Sequence, residues 1–115
     1  MVVKSQSTKH AELAPAQLEA VAGLFAALAE PTRLRLLQVL QRGPATVGDL
    51  VAASGMKQAN VSRQLGLLHQ AGVLAREKEG NLVRYSIRLP LVFDLCALVC
   101  DSLRDEAIAR AKLLK

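Results

Sequence analysis

The chain has 115 residues, with 15 Lys and Arg against 10 Asp and Glu for a formal charge of +5. Its isoelectric point near 9.7 favours a polyanion as partner, although an acidic protein or a membrane surface would answer to charge alone. Apolar residues make up 51%, aromatics only 3%, and Trp is absent, so the core is expected to be Leu, Ala and Val and the class mainly α. The longest nearly apolar run, Leu89 to Cys100, is broken by Pro90 and Asp94 and falls far short of the ~20 residues a bilayer crossing takes.

The opening MVVKSQSTKHAEL holds no apolar signal segment, which predicts a cytoplasmic chain whose two cysteines are free thiols rather than a disulfide. Residues 1 to 14 are polar and without sustained period, and read as a mobile arm. Residues 15 to 115 read as one folded domain, small enough that a second copy would help complete its core, so a homodimer is expected. From Pro15, well placed at a helix start, Leu18, Val21, Phe25 and Leu28 recur on one face. Glu30-Pro31-Thr32 ends this first helix and opens a second, which runs to about Arg42. Its Leu34, Leu36, Leu37, Val39 and Leu40 read as core, with Arg33, Arg35, Gln38, Gln41 and Arg42 outside.

Gly43-Pro44 closes the second helix. Thr46-Val47-Gly48-Asp49 then has capping-box spacing, and Ser54-Gly55 is a stop, which together bound a short third helix. In the stretch that follows, Met56 to Gly72, Val61, Leu65 and Leu68 fall on one stripe. Gln58, Ala59, Ser62, Arg63 and Gly66 fall on the other side. Two short helices joined by a glycine-containing turn read as helix-turn-helix. After Gly72 the period drops to about two, and two β-prone runs around Gly80-Asn81 read as a hairpin, in the position of a wing.

The last segment, Leu89 to Lys115, is helical by propensity. Residues 91 to 100 carry one charge, Asp94, and residues 101 to 115 carry seven, which predicts a well-buried half followed by a solvated tail. Val92, Cys96, Val99 and Leu103 step by four, three and four residues, the pattern of a short coiled-coil seam whose partner would be a symmetry mate.

The runs LFAALAEPTRLRLLQVL (24 to 40), TVGDLVAASGMKQANVSRQLGLLHQAGVL (46 to 74) and VRYSI (83 to 87) resemble the ArsR/SmtB family of winged-helix repressors, over roughly residues 18 to 100. The resemblance implies a mainly α winged helix-turn-helix with a small β-hairpin wing, in the order α-α-α-α-β-β-α. It also implies a homodimer through the first and last helices, Leu18, Val21 and Phe25 meeting Val92, Cys96, Val99 and Leu103, with paired recognition helices entering adjacent major grooves of double-stranded DNA. Carried over by position, the DNA-reading residues are Gln58, Ala59, Ser62 and Arg63, flanked by Lys57 and Asn60.

Their chemistry agrees with that role. Arg63 can fork onto guanine O6 and N7 or clamp a phosphate, Gln58 can pair with adenine, and Ser62 suits either. Lys57 and Thr46 stand at helix starts, where free N–H groups favour phosphate. Arg76, Lys78, Asn81 and Arg84 in the hairpin are candidates for backbone or minor-groove contact. The plain alternative for all of them is solvated surface.

The sequence departs from the family's familiar sensors. Thr46 to Leu50 replaces the Cys-x-Cys motif of arsenic and cadmium sensors, no His follows His69, and residues 31 to 42 contain no Cys. What remains is Cys96 and Cys100 on neighbouring turns of one helix. They could take a soft metal or metalloid ion, or be oxidised, together with the mate's pair. Equally, they could be small apolar fillers of a helix seam. No nucleophile-base pair or Gly-rich phosphate loop suggests an enzyme. A winged-helix module that binds an acidic protein is the competing function.

Overall fold

The structure is a computed structural model and describes residues 12 to 113. The arm expected over residues 1 to 14 therefore lies, up to residue 11, outside the described residues. The elements are α1 (Pro15–Leu28), α2 (Pro31–Leu40), β1 (Ala45–Thr46), α3 (Val47–Ser54), α4 (Gln58–Gln70), β2 (Leu74–Glu79), β3 (Leu82–Ile87) and α5 (Leu91–Leu113). All the expected helices and both hairpin strands are present. The additional element is β1, which makes a three-stranded antiparallel sheet in the order β1-β3-β2.

Local chemistry sets the boundaries. Pro31 opens α2, and the Glu30 carboxylate accepts from the Arg33 N–H at 3.1 Å, satisfying one of the amides a helix start leaves unpaired. Burial pushes the Glu30 pKa up, but the Arg33 and Thr32 hydrogen bonds outweigh it and leave the carboxylate below its ordinary range. The capping box of α3 forms as expected: the Thr46 hydroxyl accepts from the Asp49 N–H at 3.1 Å, and the Thr46 N–H donates to Asp49 Oδ2 at 3.0 Å. Helix α3 ends on Gly55 at φ 75°, the left-handed conformation glycine adopts without penalty. At the other end of α4, the Val73 N–H donates to the Leu68 carbonyl, a Schellman closure that folds buried Val73 back against the helix.

The core gathers Leu28, Leu36, Leu37, Leu40, Leu50, Val61, Leu65, Leu68, Val73, Leu74, Tyr85 and Val92. The α4 stripe read from spacing is real: Val61, Leu65 and Leu68 are wholly buried, packed where α4 meets α2, α3 and β2. Four sequence expectations need correction. Val92 is wholly buried in the protomer's own core, so the seam on α5 begins after it; spacing along one helix cannot say which partner a face meets. Leu34, expected as core, is 42% exposed. Arg33, expected outside, turns inward to the α1 carbonyls. The apolar half of α5, expected to be buried, is largely exposed within one protomer.

The radius of gyration is 17.2 Å, against about 13 Å for a compact chain of this length. The excess fits α1 and α5, which keep much of their apolar surface uncovered: Leu18, Phe25, Leu98 and Leu103 are all more than half exposed.

Gly66 lies inside α4, and a Cβ built there meets nothing within 4 Å. Gly66→Ala is therefore expected to raise unfolding stability by roughly 0.5–1 kcal/mol, measurable by urea denaturation. Unchanged or lower stability would show that the space is not free.

Candidate nucleic-acid interface

With Val61, Leu65 and Leu68 held in the core, the 100° step of a helix leaves Gln58, Ala59, Ser62 and Arg63 on the outside, and all four are exposed. Lys57, at the N-cap, is exposed too, and no side chain caps the first amides of α4, which keeps them available to an anion. Asn60 is half-buried at the edge of this face.

Thr46 is drawn towards the same face from α3. Its hydroxyl oxygen accepts from the Asp49 N–H, and both its hydroxyl and its backbone N–H are turned to the Asp49 carboxylate. Asp49 is held below its ordinary range, first by the Thr46 backbone N–H, then by the Thr46 hydroxyl, and less by Arg84. A cleft of about 360 Å³ joins Thr46, Val47, Gly48, Gln58, Asn81, Leu82 and Val83. The fold thus brings three of the expected contact residues, Thr46, Gln58 and Asn81, from three elements to one cleft.

The wing is a two-residue hairpin. Glu79 pairs with Leu82, and at the tip Gly80 has φ 63° while Asn81 does not have positive φ, the pattern of a type II′ turn. Register separates its cations. Arg76 and Lys78 oppose Tyr85 and Val83, whereas Arg84 opposes Glu77, and successive residues point to opposite faces. Arg84 donates to Glu79 at 2.8 Å, and that bond, with Glu79's charge, raises its pKa. Among the described residues no carboxylate pairs with Arg76 or Lys78. The hairpin therefore does not gather its four candidates on one face.

Cys96 and Cys100 line an apolar groove of about 780 Å³ between the end of α1, α2 and α5, with Phe25, Leu28, Ala29, Leu34, Leu95 and Val99, and with Arg35 and Arg104 beside them. Both are free thiols, Cys96 half-buried and Cys100 exposed. Burial, then the neighbouring Cys100, pushes the Cys96 thiol up, which keeps it protonated and weakens it as a nucleophile. Among the described residues no three His, Cys, Asp or Glu side chains converge to hold a metal ion, so the pair does not by itself fit a resident metal.

Two polar residues behind the interface escaped sequence reasoning. Gln64 is 5% exposed, and Arg33 donates to it from α2 at 2.9 Å. The only signal in the sequence was position: Gln64 adjoins Leu65 and stands three residues from Val61, inside the buried arc rather than on the wet one.

A buried aliphatic stripe, an outward face of amide, hydroxyl and guanidinium groups, and a flanking hairpin define a winged helix-turn-helix protein. Residues 30–76 match the family model described as bacterial regulatory protein, arsR family. The HTH-type transcriptional regulator Rv0081 of Mycobacterium tuberculosis is 40% identical over 78 residues, covering 67% of this chain and 68% of that protein. The crystal structure of AntR, an antimony-specific transcriptional repressor, superposes with a TM-score of 0.75 at 35% identity, covering 93% of this chain and 98% of that one. The homodimeric winged helix-turn-helix DNA-binding domain Mb0332 of Mycobacterium bovis superposes with a TM-score of 0.71 at 32% identity, covering 84% and 92%. The chain belongs to the arsR family of DNA-binding transcriptional regulators.

The charge arrangement of the wing predicts unequal roles for its cations. Lys78→Ala is expected to flatten the slope of log binding constant against log salt by about one unit per protomer. Arg84→Ala should flatten it less, because Glu79 already neutralises Arg84. Equal changes, read by fluorescence anisotropy with duplex DNA across a salt series, would contradict that division.

Proposed function

We propose that the protein is a homodimeric repressor that acts in the cytoplasm and binds an inverted-repeat operator, with Gln58, Ala59, Ser62 and Arg63 reading bases. Lys57, Asn60, Thr46, Arg76, Lys78, Asn81 and Arg84 would hold the backbone or flank the reading face. The observation that carries this reading is the division of α4: its aliphatic stripe is wholly buried while those four side chains stand in solvent. Pairing of two copies is supported by the exposed Leu18, Val21 and Phe25 on α1 and Val99 and Leu103 on α5. Apolar faces of this kind on a small chain find cover in a second subunit. Mb0332, similar over most of its length, is described as homodimeric. Two-fold symmetry then requires two half-sites about one helical turn apart.

The thiol pair is the proposed point of regulation. AntR is described as antimony-specific, and Cys96 and Cys100 open onto the groove beside the apolar faces of α1 and α5. A soft metal or metalloid ion favours thiolates, but one protomer supplies two. Trivalent arsenic or antimony would take its further donor from the partner subunit or from a small thiol. Oxidation of the pair is the other route.

Selection from a random-sequence duplex pool is expected to enrich a palindrome, and Arg63→Ala to lose roughly 1 to 3 kcal/mol of discrimination at one base per half-site. Recovery of no palindrome, with a stoichiometric acidic protein co-purifying instead, would favour the interaction-module function. For the thiols, affinity for the selected duplex is measured with and without As(III), Sb(III), Cd(II) or an oxidant. The expected result is a response in the wild type that disappears in Cys96→Ser/Cys100→Ser; equal responses eliminate the pair.

A further inference from the structure

Gln64 is a buried polar side chain that neither fills the apolar core nor reaches the solvent face. Its amide is shared between two neighbours. Oε1 accepts from Arg33 Nη1 at 2.9 Å, and Nε2 donates to Asn60 Oδ1 at 3.1 Å. Arg33 is itself anchored, its Nε donating to the Ala27 carbonyl at 2.6 Å and its Nη2 to the Ala26 carbonyl at 3.2 Å. Both carbonyls belong to the last turn of α1, where acceptors lack the usual N–H four residues on; the Ala26 carbonyl also accepts from the Ala29 N–H.

The direction of this chain follows from chemistry. A guanidinium carries donors and no acceptor, so the Gln64 oxygen must face Arg33. The Gln64 NH2 must then face Asn60, and only the Asn60 oxygen can receive it. The Asn60 NH2 is left pointing away, at the edge of the exposed face of α4, as a pair of donors.

We infer that Arg33 and Gln64 act as a polarity clamp that makes Asn60 a dedicated hydrogen-bond donor to DNA. A freely turning Asn reads adenine by presenting oxygen and NH2 together to N6 and N7. Asn60, its oxygen held back by Gln64, reads an acceptor: a phosphate oxygen, or a base acceptor such as purine N7, guanine O6 or thymine O4. Asn60 touches the ligand, and Gln64 and Arg33 are positioning residues. The inference rests on the DNA-binding function proposed above and specifies the chemistry of one of its residues.

The test uses the full chain, the duplex that the wild type enriches from a random pool, and a scrambled duplex of equal length. Asn60→Ala should weaken binding to the selected duplex by about fivefold or more per half-site, the loss of one or two hydrogen bonds. Gln64→Glu is close to isosteric, and its carboxylate accepts from both Arg33 and Asn60. It turns the Asn60 amide round so that oxygen faces the DNA, and should weaken binding at least as much. Gln64→Met, which releases Asn60 to rotate, should fall between wild type and Gln64→Glu; thermal melts establish that each variant is folded.

The decisive readout is the double variant. If Gln64→Glu acts through Asn60, it adds little loss in the Asn60→Ala background. A Gln64→Glu that binds like wild type, or whose loss is undiminished without Asn60, overturns the clamp. Loss confined to the selected duplex identifies a base acceptor, and equal loss on both duplexes a phosphate. A wild type that enriches no duplex removes the DNA-binding function and the clamp with it. Enrichment by wild type with an inert Gln64→Glu removes the clamp alone.

Discussion

The rotation of α4 about its own axis is set by three side chains. Val61, Leu65 and Leu68 are wholly buried, and burying an aliphatic side chain of this size is worth about 1.5–3 kcal/mol. Together they contribute an amount comparable to the whole net stability of an ordinary domain, roughly 5–15 kcal/mol. Turning the helix far enough to expose the stripe would therefore unfold the protein before it presented a different face. The outward set of Gln58, Ala59, Ser62 and Arg63 is thus fixed by residues buried on the opposite side of the helix. The Gly55 cap and the Val73 closure then fix where α3 and α4 end, because each ends a run of backbone hydrogen bonds at a defined residue.

The same arithmetic leaves the protomer unfinished. A chain of this size buries too little surface to spare long apolar helices, yet α1 and α5 keep Leu18, Phe25, Leu98 and Leu103 more than half exposed. Helix α5 is anchored at its start by Val92 and runs on for most of its 23 residues with no other wholly buried side chain. Apolar surface of that extent fits the proposed pairing of two copies. It also separates labour along the chain, with the middle of the sequence folding against itself and the two flanking helices facing outwards.

Those differences explain what could be read in advance. Periodicity exposes elements that are amphipathic over several turns, so the helices, the hairpin and the α4 stripe were legible, as were the Thr46 and Asp49 capping residues. Strand β1 was not: two residues carry no period, and Ala45 and Thr46 become a strand only because Tyr85 and Arg84 lie opposite. Val92 looked like part of an intersubunit seam because spacing along α5 gives a face without naming what covers it. Arg33 and Gln64 were missed for a different reason. Composition puts charged and amide side chains outside, and the bond that joins these two links residues 31 apart in sequence, which no local pattern announces.

The thiol groove and α4 share a structural joint. Leu28, Ala29 and Pro31, which connect α1 to α2, form part of the wall that carries Cys96 and Cys100 on its other side. Arg33 begins just beyond that joint and spans from the Ala26 and Ala27 carbonyls to Gln64 on α4. Hydrogen bonds of this kind weaken steeply as distance and angle depart from their optimum. The position of the end of α1 is thereby tied through the Arg33 guanidinium to Gln64 on α4. The leucine core joins the same elements by close packing. The guanidinium adds a polar connection with a sense of direction, running from the last carbonyls of α1 to one amide at the margin of the exposed face of α4.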